Sequence, residues 1–335
     1  MRVLSVTHTV FEHHDTGPNH PERPARLRAA LQGVAESPCE VIDLVAPQVR
    51  RDLLELVHTP AYIAQIEAFC AEGGGALDAD TRVVEASWEA ALRSAGAGPA
   101  AIEALDGDRA DTAFLTVRPP GHHALAGQAM GFCLFNNIAV TARTLTERGL
   151  RVAIIDWDVH HGNGSEEMFG PHEDILYVSF HQFPFYPGTG RLAEIGAGPA
   201  ARTTINFPLP AGTAGDLYRQ AFPRLVIPVL GEFGPDWILV SAGYDAFAGD
   251  PLADLMLLPS DYAFMASALT RVVPSNRTIF FLEGGYDLDG IRTSVSATLA
   301  GSAGVPVPDE TVRPTSPGDA FRILDQVSTA VAAVW

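Results

Sequence analysis

The sequence predicts an α/β protein built on a mostly parallel β-sheet, and three features carry that expectation. Short apolar runs alternate with longer amphipathic stretches along the whole chain. Several runs, VAIID at 152–156 and WILVS at 237–241 among them, are apolar without a break, as strands covered on both faces are. The third is size: 335 residues, 47% of them hydrophobic and 19% charged, supply a core large enough for such a sheet.

Read from the N-terminus, Val3–Val6 is the first expected strand and Pro24–Glu36 the first helix. Helix-like periodicity returns at Ala61–Ala71 and Ala86–Leu105, before a strand at Thr112–Val117 and a helix at Asn137–Arg148. Val152–Trp157 and Ile175–Phe180 follow as buried strands, and Thr203–Phe207 as a shorter one. The Pro/Gly-rich stretch Tyr186–Pro210 reads as a long functional loop plus that short strand, not as a domain boundary. A helix at Leu217–Leu230 leads to the strand Trp237–Ser241, and a helix at Asp261–Val273 to the strand Thr278–Leu282. Helices at Leu288–Leu299 and Phe321–Val334 close the chain. Such a strand-then-helix rhythm implies parallel strands joined by crossovers. With no internal repeat and no long linker, residues 1–335 read as a single domain.

Composition narrows the function classes. No stretch approaches the eighteen or so apolar residues of a membrane span. The segment MRVLSVTHTV lacks the long apolar core of a signal peptide. Cys39, Cys70 and Cys133 are dispersed and odd in number, so they form no disulfide framework and fit a reducing cytoplasm. A net charge of −18 argues against nucleic-acid binding and favours a cationic partner, lysine-rich or polyamine-like, although acidity also simply keeps proteins soluble.

The densest chemistry lies in Asp156-Trp157-Asp158-Val159-His160-His161-Gly162-Asn163-Gly164, where a buried strand runs into carboxylates and imidazoles. Ligands of open α/β sheets bind at the carboxyl ends of strands. Asp158 and His160 stand two residues apart, so an extended backbone projects both to one side, a pairing that suits a zinc-type ion. Asp156 shares that parity, but a catalytic metal takes about three protein ligands and keeps a position open for water. A second strand end, Ser241-Ala242-Gly243-Tyr244-Asp245, offers Asp245 as a further carboxylate. A third runs into Glu283-Gly284-Gly285-Tyr286, whose glycines let the backbone turn and bring the Tyr286 phenol over the site. His122 and His123 follow the rigid Pro119-Pro120-Gly121 turn and suit acid–base work. Singly, each has a plainer explanation: a strand-end Asp usually caps a turn, and the pair His13-His14 reads as solvated loop. Four such strand ends at one sheet edge fit coincidence poorly.

In their order along the chain, these motifs resemble those of the histone deacetylase superfamily, its class II and bacterial members above all. The likeness runs through His20–Arg26, Val57–Pro60, Arg118–His123, Gly131–Asn137, Asp156–Gly164, Pro187–Gly190, Gly243–Pro251 and Glu283–Asp287. It implies the arginase/deacetylase fold, an α/β architecture with a central, mostly parallel eight-stranded sheet flanked by helices. By this resemblance Asp158, His160 and Asp245 match the metal ligands, for Zn²⁺ with Fe²⁺ as the alternative. His122 and His123 match the tandem histidines, with His123 as general base and acid. Asp156 matches the partner of His122, and Asn163 that of His123, where class I enzymes carry Asp. Tyr286 matches the transition-state tyrosine. Gly131, Phe132 and Tyr186 match the tunnel that grips an acyl-lysine stem, with Tyr186 in a place where many relatives have Phe. Asp80 matches a loop aspartate that binds substrate backbone, and Leu252 stands where polyamine-selective relatives carry an acidic gatekeeper. Arg23 is assigned to an arginine lining an internal acetate channel. A K⁺ or Na⁺ ion is expected on Asp156, Asp158, His160, Ser179 and Phe180.

The expected function is therefore zinc-dependent hydrolysis of an acyl amide, with N-ε-acyl-lysine in a protein or peptide as substrate. Deacetylation of acetylpolyamines or another small acylated amine is the alternative, and a silent acyl-lysine binding module is a third reading. The expected setting is cytoplasmic, with no membrane or nucleic-acid partner and with a homo-oligomer left open.

Overall fold

The strands of this computed structural model are β1 (Arg2–Thr7), β2 (Glu40–Val45), β3 (Gly75–Ala76), β4 (Arg82–Val83), β5 (Thr112–Leu115), β6 (Val152–Asp156), β7 (Ile175–Gln182), β8 (Thr204–Leu209), β9 (Trp237–Ala242) and β10 (Thr278–Leu282). The structure describes residues 1–196 and 200–334, so residues 197–199 of the long loop and residue 335 lie outside the described residues. Eight strands form one sheet in the order β2-β1-β5-β10-β9-β6-β7-β8, and every neighbouring pair is parallel. The expectation of a mostly parallel sheet thus becomes an all-parallel one. β3 and β4 pair antiparallel in a separate two-stranded hairpin.

Helices α1 (Pro24–Glu36), α2 (Arg51–Leu54), α3 (Pro60–Ala71), α4 (Ser87–Asp106), α5 (Asn137–Thr146) and α6 (Asn163–Phe169) precede α7 (Gly215–Ala221) and α8 (Ile227–Phe233). The last three are α9 (Pro259–Leu269), α10 (Leu288–Ser302) and α11 (Gly318–Ala332). The sheet lies between two apolar layers. Ala153 and Ile155 of β6 join the layer that contains Leu217 of α7, Met265 of α9 and Leu324 of α11. Val152 and Ile154 join the opposite one, with Ile63 of α3, Ile102 of α4 and Ile138 of α5. Because both faces of β6 are covered, its sequence is apolar at every position rather than at every second one.

All seven expected strands form. The sequence reading missed β2, an edge strand that pairs only with β1 and whose residues are exposed or half-buried. Glu40 and Asp43 face solvent there and break the apolar run that would have signalled a strand. The helix expected at Leu217–Leu230 is α7 and α8 joined by a π turn, Phe222–Val226. Pro223 and Pro228 fall in this stretch, and neither can donate a helical N–H. Among the described residues, no helix is long and apolar enough to cross a membrane.

For the site, strand order is the decisive feature. The strands that run into the histidine pair, the Glu283–Tyr286 turn, Asp245 and the Asp156–Gly164 segment are β5, β10, β9 and β6, which are consecutive neighbours. Since all are parallel, their carboxyl ends open on one edge of the sheet.

Candidate metal and active site

One oxygen or nitrogen from each of Asp158, His160 and Asp245 lies within 4.8 Å of the others, and both carboxylates are fully buried. His160 Nδ1 is 3.1 Å from Asp245 Oδ2 and 3.3 Å from Asp158 Oδ1. This convergence does not come from strand pleating, as parity suggested. β6 ends at Asp156, and residues 158–160 form a bend in which Asp158 Oδ1 accepts the His160 backbone N–H. The remaining carboxylate oxygens also have fixed donors: Gly284 N–H on Asp158 Oδ2 and Val159 N–H on Asp245 Oδ1. A side chain at Gly284 would collide with Asp245 Oδ2, so only glycine passes there.

Electrostatics favour a cation at this point. Burial and the Asp158 charge push Asp245 up to about 7. Burial alone would lower His160, but the two carboxylates outweigh it and push its imidazole up to about 10. Two buried carboxylates this close need positive charge between them, and a proton on His160 supplies it. A divalent ion would take over that place. Two carboxylates and one imidazole, buried and convergent, fit an ion of the zinc type.

Beside this set, His122 Nδ1 lies 3.1 Å from Asp156 Oδ2, and His123 Nδ1 lies 2.8 Å from Asn163 Oδ1. Burial opposes charge on His122, yet Asp158 and Asp156 together push it up to about 10. His123 goes the other way, well below the usual imidazole range, because of its burial and the charges of His122 and His160. The two rings, 4.1 Å apart, are thus held in opposite protonation states.

A cavity of about 250 Å³ leads down to these groups. Phe132, Leu252 and partly exposed Tyr186 line it together with His160, Tyr286 and the buried pair His122 and His123. Tyr186 meets the His123 ring edge-on at 5.3 Å, and Phe132 meets Tyr286 edge-on at 6.0 Å. Gly131 has φ +55°, and a Cβ there would lie 2.4 Å from His123 Cδ2, so the tunnel wall touches the histidine itself. The Tyr286 ring sits under the Arg26 guanidinium at 5.0 Å. Among the described residues its hydroxyl has no protein hydrogen-bond partner.

Comparison with known proteins then decides the family. The histone deacetylase domain model matches residues 20–302. The chain belongs to the histone deacetylase family. It is similar to a probable deacetylase of Archaeoglobus fulgidus, 38% identical over 311 residues that cover 88% of this chain and 86% of the relative. A histone deacetylase-like amidohydrolase of Pseudomonas aeruginosa is 36% identical over 301 residues, 83% of this chain and 78% of that protein. The crystal structure of the HDA15 HD domain superposes with a TM-score of 0.91 at 32% identity, covering 100% of this chain and 95% of the other.

Within this deacetylase fold, the remaining expected residues fall as follows. Asp80 is half-buried at the cavity mouth; its carbonyl accepts from His20 Nε2 at 2.8 Å, and its carboxylate takes the Thr81 hydroxyl at 3.3 Å. Ser179 pairs with Asp156 across β6 and β7, next to buried Phe180, but its hydroxyl is already 2.9 Å from His181 Nδ1. Arg23 is a correction: it is exposed and precedes α1. The buried arginine is Arg26, one helical turn later, which donates to the carbonyls of Glu283 and Gly285 and to Glu22 at 2.9 Å. His14 is a second correction, for it is buried rather than solvated and lies 2.7 Å from Ser87 Oγ.

Sequence reasoning overlooked three contributors. The Tyr177 hydroxyl donates to Asp156 at 2.9 Å, yet inside β7 it looks like any core aromatic. Phe185 stacks on His160 at 5.3 Å. The Glu283 carboxylate accepts from Gly121 N–H at 2.7 Å and His122 N–H at 3.2 Å, fixing the histidine turn from β10. A charged residue closing the apolar run TIFFL was the one available signal for Glu283.

Proposed function

We propose that this protein is a metal-dependent deacetylase that hydrolyses the amide of an N-acylated amine, with N-ε-acyl-lysine as the favoured substrate. The observation that carries the reading is the convergence of Asp158, His160 and Asp245 beside a cavity that His160, the Asn163-held His123 and Tyr286 all line. A zinc-type ion on Asp158, His160 and Asp245 would supply Lewis-acid polarisation of the amide carbonyl and would acidify water.

The chain's own residues account for the rest. Asn163 accepts the Nδ1 proton of His123, which leaves Nε2 free as the base that takes a proton from water and returns it to the leaving amine. His122, kept charged by Asp156 and Asp158, adds positive potential beside the reacting carbonyl. Tyr286 donates a hydrogen bond where the oxyanion develops. Phe132 and Tyr186 grip an apolar stem such as the lysine methylenes. Arg26, in place of Arg23, is the guanidinium next to the released carboxylate product. A monovalent ion near Asp156, Ser179 and Phe180 is part of the same reading, as is a cytoplasmic setting.

Leu252 at the rim offers no charge to a polyamine, which favours acyl-lysine. All 22 basic residues of the chain are arginine, so it carries no lysine and cannot be its own substrate. The test is turnover of a fluorogenic acetyl-lysine peptide beside acetylated polyamines, before and after chelation and on return of Zn²⁺. Activity that survives complete metal removal would overturn the proposal, and a preference for polyamines would overturn the substrate.

A further inference from the structure

The Tyr286 turn is pinned through its backbone by three buried or half-buried charged groups. Arg26 donates to the carbonyls of Glu283 and Gly285, and Asp158 Oδ2 accepts the Gly284 N–H at 2.7 Å. The third is Asp250, 8% exposed, in the rim segment Gly249-Asp250-Pro251-Leu252. Its Oδ2 accepts the Tyr286 N–H at 2.6 Å and the Asp287 N–H at 3.2 Å, while Oδ1 accepts the Leu252 N–H at 3.0 Å. One carboxylate therefore satisfies three backbone donors, two on the tyrosine turn and one beside the tunnel mouth.

The turn needs such a tether. Gly285 has φ +113°, a conformation open to few other residues, and the preceding Gly284 has no side chain to pack. Asp287 begins α10, its carboxylate accepting the Gly290 N–H at 2.6 Å, so Asp250 holds the turn against the start of a helix. Charge-assisted bonds from a carboxylate to backbone N–H groups are short and directional. Arg26 and Phe132 touch the Tyr286 ring, but among the described residues its hydroxyl makes no hydrogen bond, so the backbone of the turn sets where the hydroxyl lies.

We propose that Asp250 is a positioning residue for Tyr286: through the backbone amides of 286 and 287 it sets the phenol at the reacting carbonyl and ties it to the rim at Leu252. The proposal rests on the reading of Tyr286 as oxyanion donor. Misplacing a reacting group by ~1 Å can cost roughly 10²-fold in rate, and losing an oxyanion donor outright costs ~10²–10³-fold. Asp250→Ala should thus lower kcat by roughly 10- to 100-fold with KM within about threefold. Asp250→Asn, which keeps an acceptor oxygen, should recover most of that loss.

A double-mutant cycle on a fluorogenic acetyl-lysine substrate, with zinc content and Tm measured for each variant, is the test. If Asp250 acts through the phenol, Asp250→Ala should cost no more than about twofold in a Tyr286→Phe background, because the group being positioned is gone. Equal losses in both backgrounds, or wild-type kcat for Asp250→Ala, would overturn the proposal. Where Asp250→Ala folds poorly, the same comparison runs on Asp250→Ser, whose shorter side chain cannot accept both amides of the turn. Failure of the underlying reading is separate and visible: Tyr286→Phe alone would then keep more than half of the activity.

Discussion

Replacing Asn163 by Asp should move the acid limb of the pH–rate profile upward. In the structure Asn163 Oδ1 sits 2.8 Å from His123 Nδ1 and is neutral. A carboxylate in its place adds a full negative charge at that contact. An opposite charge within ~4–6 Å raises a histidine pKa by roughly 1–3 pH units, or about 1.4–4 kcal/mol. Burial and the charges of His122 and His160 hold the wild-type imidazole well below its usual range, so it is the free base at neutral pH. A general base works only when unprotonated. Raising its pKa therefore removes activity on the acid side and leaves the alkaline side alone. The assay is kcat/KM for a fluorogenic acetyl-lysine peptide from about pH 5 to about pH 9, with metal content checked at each end. The acid limb of Asn163→Asp should lie roughly 1–3 pH units above that of wild type, with rates within about threefold near pH 8.5. An acid limb that stays in place in a fully metallated variant would refute His123 as the titrating base.

Asp245→Ala should lose tight metal binding and activity together, which metal analysis of the purified variant would check; a metallated, active protein would sink the ligand set. If Asp80 grips the backbone of a peptide substrate, Asp80→Ala should lower kcat/KM on acetyl-lysine peptides by roughly ten- to a hundredfold, the worth of a charge-assisted hydrogen bond of ~1.5–3 kcal/mol. Small acetylated amines, which have no flanking backbone, should be affected less than about threefold, and equal losses on both would make Asp80 a loop-shaping residue. Glu22 is buried between Arg26 and Arg118, which donate to it at 2.9 Å and 2.5 Å. Glu22→Gln strands two buried guanidinium charges and should cost about 3–5 kcal/mol in chemical denaturation; a loss below about 1 kcal/mol would show that these charges find other partners.

The strands with both faces covered were legible in the sequence. Val152–Asp156 and Trp237–Ala242 must be apolar at every position, and that pattern survives in a bare string of letters. The residue types of the proposed metal site were legible too, because Asp158, His160 and Asp245 follow such runs closely. β2 was not, since an edge strand half in water has no need of an unbroken apolar run. Nor was the choice between Arg23 and Arg26, for both belong to one motif. Pro24 starts α1 right after Arg23, and only the helical turn decides that Arg26 points inward while Arg23 stays outside. Chain order also hides strand order. Gly121 after β5 and Glu283 after β10 stand 162 positions apart, and a parallel sheet brings their strand ends side by side. Glu283 on the histidine turn, Tyr177 on Asp156 and Asp250 on the tyrosine turn follow from that packing alone. Local sequence fixes which groups a strand end can offer, since that depends on residue type and backbone direction. Which carboxylate meets which backbone amide is a matter of distances across the sheet, and those are set only when the whole core closes.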